Sequence, residues 1–117
     1  MIKSVKGDVL RMSDNEKRKA KFRRTNKWVN FRKYLKKKQK VDPVTGSPLN
    51  ATCNCHHLDL SIDHYEMIGE DRQIMLNSQS HDVLHYFYGD ERRRHNWRKR
   101  VLAIIRLLKL MDKFNNN

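Results

Sequence analysis

"CNCHHLDL", residues 53–60, decides how the chain is read, because two cysteines and two histidines fall within residues 53–57 of a 117-residue sequence that holds two cysteines and six histidines in all. Cys53 and Cys55 form a CxC, not the paired CxxC knuckles of a structural zinc site, and two positions this close on one strand do not bridge easily. They read as packed strand cysteines. Residues 51–58 read as a short strand ending in His56 and His57. Adjacent strand residues point to opposite faces, so at most one of these two histidines can aim at any one partner element.

Working outward, "DPVTGSPL" at 42–49 is turn chemistry, with Pro fixing one dihedral and Gly46 permitting another. Before it, "SDNE" at 13–16 is a capping box that opens a helix at Ser13 and carries it through a Lys/Arg-rich stretch. Trp28, Val29, Phe31, Tyr34 and Leu35 recur at helical spacing and predict a second helical piece, with Arg32, Lys33 and Lys36 to Lys38 facing out. Trp28 and Tyr34 are expected to pack rather than to stack on bases. After the histidine strand, 58–71 reads as an ordered loop and "RQIML" at 72–76 as a second strand. Asn77 or Ser78 is placed to cap a helix through "QSHDVLHYFY", and Gly89 to end it. From residue 90 to 114 a long helix is expected, basic in its first half, with Trp97, Val101, Ile104, Ile105, Leu108 and Met111 as an apolar stripe that reads as core or dimer contact.

The expected architecture is therefore α+β in a single domain over 1–117. It comprises a loose tail at 1–12, a basic helical arm at 13–40, a strand-strand-helix core at 42–89 and the C-terminal helix. No run approaches the roughly 20 apolar residues that span a bilayer, and the start lacks the apolar block of a secretion signal. A cytoplasmic protein with no membrane partner is expected, with its cysteines reduced.

The net charge of +13 and pI near 10.1 point to an anionic partner, and nucleic acid is the commonest for a small basic chain. The charge is partitioned. Residues 1–50 carry 16 Lys/Arg against 4 Asp/Glu, residues 51–90 carry 1 against 7, and residues 91–117 carry 9 against 2. Two basic arms thus flank an acidic, histidine-rich centre, an arrangement that suits gripping a backbone while holding a cation. Candidate phosphate contacts are Lys33, Lys36, Lys37, Lys38, Arg92, Arg93, Arg94 and Arg98.

His81 and His85 lie at i and i+4 on the expected helix and share a face. If His56 or His57 completes that pair, three imidazoles hold a metal with an open coordination position, as catalytic sites do, and the other histidine stands beside it as a base. His64 and His95 fall outside the pattern and read as surface residues. Asp59 and Asp63 are placed to orient a ligand histidine, although a solvated loop is the simpler account.

The order of these residues, "HH", fourteen residues, Arg72, eight residues, His81, three residues and His85, resembles the HNH endonucleases, the ββα-metal or His-Me finger nucleases. The upstream "FRK" and "VDPVTGSPL" and the downstream "LNSQSHDVLHYFYG" are similar to small phage-type HNH proteins, and the resemblance covers roughly residues 28–89. It implies a ββα-metal finger flanked by the N-terminal basic helices and the C-terminal helix. It implies His57 as general base and His56, His81 and His85 as ligands to one divalent ion, whether zinc, nickel, manganese or magnesium. It also implies hydrolysis of double-stranded DNA, in a bacterial host if the gene is a phage's, and a homodimer through the C-terminal helix is compatible with it. The motif's middle position is normally an Asn that bonds across the loop and orients the base. Here it is Arg72, whose donors are expected to hold loop carbonyls or clamp a phosphate and whose charge favours a neutral His57. The departure motivates an alternative, a non-catalytic DNA-binding or regulatory protein that keeps the finger as a metal-stabilised scaffold. A third reading is an RNA-binding protein whose histidines are incidental.

Overall fold

The computed structural model describes residues 13–89 and 94–116. The expected tail at 1–12 and the candidate contacts Arg92 and Arg93 lie outside the described residues. The chain forms two compact units that divide between Asn77 and Ser78, and the elements among the described residues are a mixture of helices and one two-stranded antiparallel sheet.

The first unit opens where the capping box predicts. Ser13 Oγ accepts the Glu16 N–H at 3.1 Å and starts α1, Asp14–Arg23, with acidic residues in its first turn and basic ones in its last. The helix does not run on without a break. Thr25 Oγ1 donates to the Phe22 carbonyl at 2.7 Å and accepts from the Trp28 N–H at 3.3 Å, closing one helix and capping the next, α2, Asn26–Gln39. Along α2, Trp28 and Leu35 are buried and Phe31 packs between them, a spacing of three to four residues that keeps all three on one face.

That face builds two adjoining clusters. Phe22, Trp28 and Tyr65 form one, and Leu35, Cys53 and Met75 the other, with Phe31 and Cys55 packed against both. The cysteines are free thiols used as small apolar groups, as the CxC spacing predicts.

The sheet pairs β1, Asn54–His57, with β2, Gln73–Leu76, placing His56 opposite Ile74 and His57 opposite Gln73. One edge of β2 is covered by a side chain. Gln39 Nε2 donates to the Met75 carbonyl at 2.6 Å and Gln39 Oε1 accepts the Met75 N–H at 2.8 Å, so the α2 amide pairs as a neighbouring strand residue would. Removing it orphans two backbone groups of a fully buried residue. Gln39→Ala is expected to lower stability by about 1–3 kcal/mol in urea denaturation, without a change in the denaturant slope.

The 42–49 turn forms as expected, with Gly46 at φ 72°. Asp42, fully buried, organises it: Oδ1 accepts the Val44 and Thr45 N–H groups at 2.8 and 3.0 Å, and Oδ2 accepts the Asn77 N–H at 2.8 Å. Asn77 also has a second use. Its side chain accepts the Asn50 N–H at 2.9 Å and donates to the Pro48 carbonyl at 3.1 Å, so it ties the turn to the end of β2.

The second unit holds α3, Ser78–Tyr88, a short 3-10 turn at Arg94–Asn96 and α4, Trp97–Asn115. Gly89, at φ 71°, donates to the His85 carbonyl at 2.9 Å and ends α3 as predicted. Arg100 donates to the Phe87 carbonyl, satisfying a group at that end of the helix. Among the described residues, the stripe on α4 is largely exposed. Ile104, Leu108 and Met111 are 38%, 54% and 58% exposed, and Leu102, Leu107, Leu110 and Phe114 are exposed as well. Apolar residues go most of the way round α4, and a helix cannot bury every side against one neighbour. Among the described residues, no helix is long and apolar enough to cross a membrane.

Candidate active site

His57 ends β1 with its ring between two others. It stacks on Tyr65 with centroids 4.3 Å apart and planes 11° from parallel, and on Trp28 at 5.2 Å and 15°. Its Nε2 lies 3.2 Å from the Tyr65 carbonyl. A carbonyl oxygen only accepts, so Nε2 carries the hydrogen, and in the neutral ring the lone pair is left on Nδ1. Burial, above all, pushes the His57 pKa below its ordinary 6.5; the Tyr65 carbonyl acts the other way, and Lys19 and Arg23 lower it further. The lowered pKa favours the neutral imidazole and the stacking holds it in one orientation, the state a proton acceptor needs.

Tyr65 is itself fixed. Arg23 Nη1 donates to its hydroxyl at 3.0 Å, Lys19 Nζ stands 5.2 Å from its ring centre, and Phe22 meets it edge-on at 5.8 Å. Lys19, Phe22 and Arg23 of the basic helix α1 therefore serve the setting of His57, a use of that arm that its charge pattern alone did not reveal.

Arg72 is placed differently from the sequence reading. Its Nη1 donates to Asp59 Oδ2 at 3.3 Å rather than to loop carbonyls, and it is Lys19 and Arg23, not Arg72, whose charges favour neutral His57. Asp59 also accepts the Ser61 N–H at 2.9 Å and meets His64 Nδ1 at 2.7 Å. The Ser61 and His64 bonds, in that order, hold its carboxyl below the usual carboxylate range. Asp59 thus orients His64, an exposed residue, and pins Arg72. Asp63 is exposed.

The residue after Arg72 carries an amide that bonds across the loop. Gln73, only 2% exposed, donates from Nε2 to the Met67 carbonyl at 2.9 Å and accepts the Gly69 N–H on Oε1 at 2.9 Å. Sequence reasoning passed over it because a Gln inside a strand pattern has no signature of its own. The available signal was its register, directly opposite the second histidine.

His56, the other half of the pair, lies half-buried on β1; by strand alternation its side chain takes the face opposite to His57. In the second unit His81 and His85 meet on one face of α3 as their spacing predicts. Their Nε2 atoms are 3.1 Å apart and their rings edge to face at 82°. Two nitrogens bound tetrahedrally to one zinc-like ion at about 2.05 Å lie roughly 3.3 Å apart, so this donor pair fits a shared metal with little adjustment. Burial first, and His85 second, lower the His81 pKa from 6.5, favouring the neutral ring a metal needs. On β1, burial pushes the Cys55 thiol up to about 12, which keeps it protonated and apolar in its packing.

Of the candidate phosphate contacts, Lys33 and Lys37 are exposed on α2 and, with Lys36 and Tyr34, line a shallow concavity. Lys38 is engaged elsewhere, in an ion pair with Glu70 at 2.6 Å. In the second unit the Arg94 guanidinium lies 5.1 Å over the Tyr88 ring and that of Arg98 5.5 Å over Trp97. Trp28 belongs to the core, as expected, whereas Tyr34 is half-exposed and donates to Glu70. Compared with known proteins, the chain matches no family model, no curated protein and no solved structure.

Proposed function

We propose that the protein is a metal-dependent DNA endonuclease of the HNH type, with His57 as general base and one divalent ion for which the His81–His85 pair supplies two of the ligands. The observation that carries the reading is the setting of His57: a neutral imidazole clamped between two rings, its Nε2–H spent on the Tyr65 carbonyl and its Nδ1 lone pair left to accept a proton. A second support is the His81–His85 pair, whose nitrogen spacing suits metal ligation.

In this reading His57 Nδ1 takes a proton from a water whose oxygen attacks the scissile phosphorus; the 3′ oxygen departs with the bonding pair and is protonated from solvent, leaving a 5′ phosphate and a 3′ hydroxyl. The bound ion supplies Lewis-acid polarisation of the phosphate and offsets the charge that develops on the leaving oxygen. Imidazole ligands favour zinc, nickel or manganese over magnesium. Lys33, Lys36 and Lys37, with Arg98, hold the DNA backbone through charge, and base identity is left unread.

This interface is tested by salt titration of duplex binding. The double variant Lys33→Gln and Lys37→Gln is expected to weaken binding to all sequences alike and to reduce the log-log salt slope by about 0.9 for each phosphate that is no longer neutralised. An unchanged slope removes α2 from the interface. Arg72 keeps the scaffold alternative in view, because its guanidinium is occupied by Asp59; that alternative predicts the same binding with intact plasmid under every metal.

A further inference from the structure

We infer that Gln73 is the positioning residue for His57, acting through the loop that carries the Tyr65 carbonyl; the inference deepens the nuclease reading and rests on it for its kinetic consequence only. Residues 58–72 form a long connection between two four-residue strands, and a connection of that length with one 3-10 turn needs internal ties to hold a single shape. Its backbone supplies some of them, the Met67 N–H to the His64 carbonyl at 3.0 Å and the Arg72 and Gln73 N–H groups to the Gly69 carbonyl at 3.0 and 3.1 Å.

Gln73 supplies the rest from inside. Its amide uses both halves on the loop, the donor on Met67 and the acceptor on Gly69, and it does so 2% exposed, where water cannot substitute. Met67 is two residues past Tyr65, whose carbonyl fixes the hydrogen on His57 Nε2. His57 is in turn the cross-strand partner of Gln73. The circuit is therefore closed: the amide holds the loop, the loop holds the carbonyl, and the carbonyl holds the imidazole with Nδ1 unprotonated. Arg72 cannot do this, having donors only and spending one on Asp59.

Two variants separate the parts. Gln73→Met keeps the length and removes both bonds; Gln73→Glu keeps the acceptor for Gly69 and removes the donor for Met67. The readout is the His57 tautomer at fixed pH, from ¹⁵N NMR of the histidine-labelled full chain with and without zinc. Wild type is expected to show the Nε2–H form alone, Gln73→Glu a minor and Gln73→Met a substantial Nδ1–H population. Plasmid cleavage should fall about 10- to 100-fold in kcat for Gln73→Met, with KM for DNA unchanged, as for other residues that orient a catalytic group through a second one. A folded Gln73→Met protein that keeps a pure Nε2–H tautomer overturns the inference. Should neither variant fold, wild type decides: the Gln73 side-chain amide must exchange with solvent as slowly as the Gly69 N–H, and a fast-exchanging amide overturns it. Loss of the single tautomer in a protein whose wild type cuts no DNA would remove the nuclease reading and leave the role of Gln73 standing.

Discussion

His57→Phe is expected to bind DNA and metal as wild type does and to cleave about 10²–10⁴-fold more slowly, the usual span for removal of a general base. Phenylalanine is the informative choice because half of what holds residue 57 is ring packing. Trp28 and Tyr65 stack on either side, and an alanine there would open a gap between two buried aromatics and mix a folding defect with a catalytic one. The phenyl ring fills that slot and lacks the Nδ1 lone pair. It also leaves the Tyr65 carbonyl without its partner, so a small loss of stability is expected beside the kinetic loss, readable as a lower thermal midpoint. Single-turnover cleavage with saturating protein separates the two, since it reports chemistry on the folded fraction.

The second large effect is on metal. His81→Ala with His85→Ala is expected to abolish stoichiometric binding of zinc or nickel in isothermal titration, and either single change to weaken it about 10- to 100-fold or more. The two nitrogens are already 3.1 Å apart on one helix face, so little conformational entropy is lost when an ion joins them. The pH dependence has a definite sign. Ligation requires neutral rings, and the His81 pKa lies below its ordinary 6.5, so affinity should persist to lower pH than for an ordinary imidazole pair and be lost as pH falls through the lowered value. In the metal-free protein the same shift makes stability decrease as pH falls. Below 6.5 the unfolded chain takes up protons that the folded His57 and His81 refuse, so acid favours unfolding until the folded pKa values are also passed.

Local signals in the sequence were sufficient where the physics is local. The Ser13 cap, the i and i+4 histidines, the turn at Gly46 and the stop at Gly89 all depend on neighbours a few residues away, and each appears where the spacing predicts. The parts that escaped depend on partners far along the chain. Gln39 covering the edge of β2, Asn77 gripping Pro48 and Asn50, and Arg72 turned to Asp59 are bonds across 13 to 36 residues, and a polar side chain in isolation does not announce which distant backbone it will meet. Gln73 is the most instructive of these. An arginine at the position where the HNH resemblance expects an amide suggests a damaged site, yet the next residue supplies a buried amide with donor and acceptor both used on the loop. The apolar stripe on α4 shows the limit of a periodic signal: periodicity says that a face is apolar and not what covers it, and of the two readings, core or dimer contact, the exposed face leaves the dimer contact open.

Whether these residues cut DNA is read out by conversion of supercoiled plasmid by the wild-type protein. Metal is first removed, and magnesium, manganese, nickel and zinc are then supplied in turn, with EDTA and His57→Phe as controls. A metal-dependent nuclease gives nicked or linear product with at least one of these ions, none with EDTA, and none above background with His57→Phe. Intact plasmid in every lane, from protein that calorimetry shows to be metal-loaded and DNA-bound, would sink the nuclease reading.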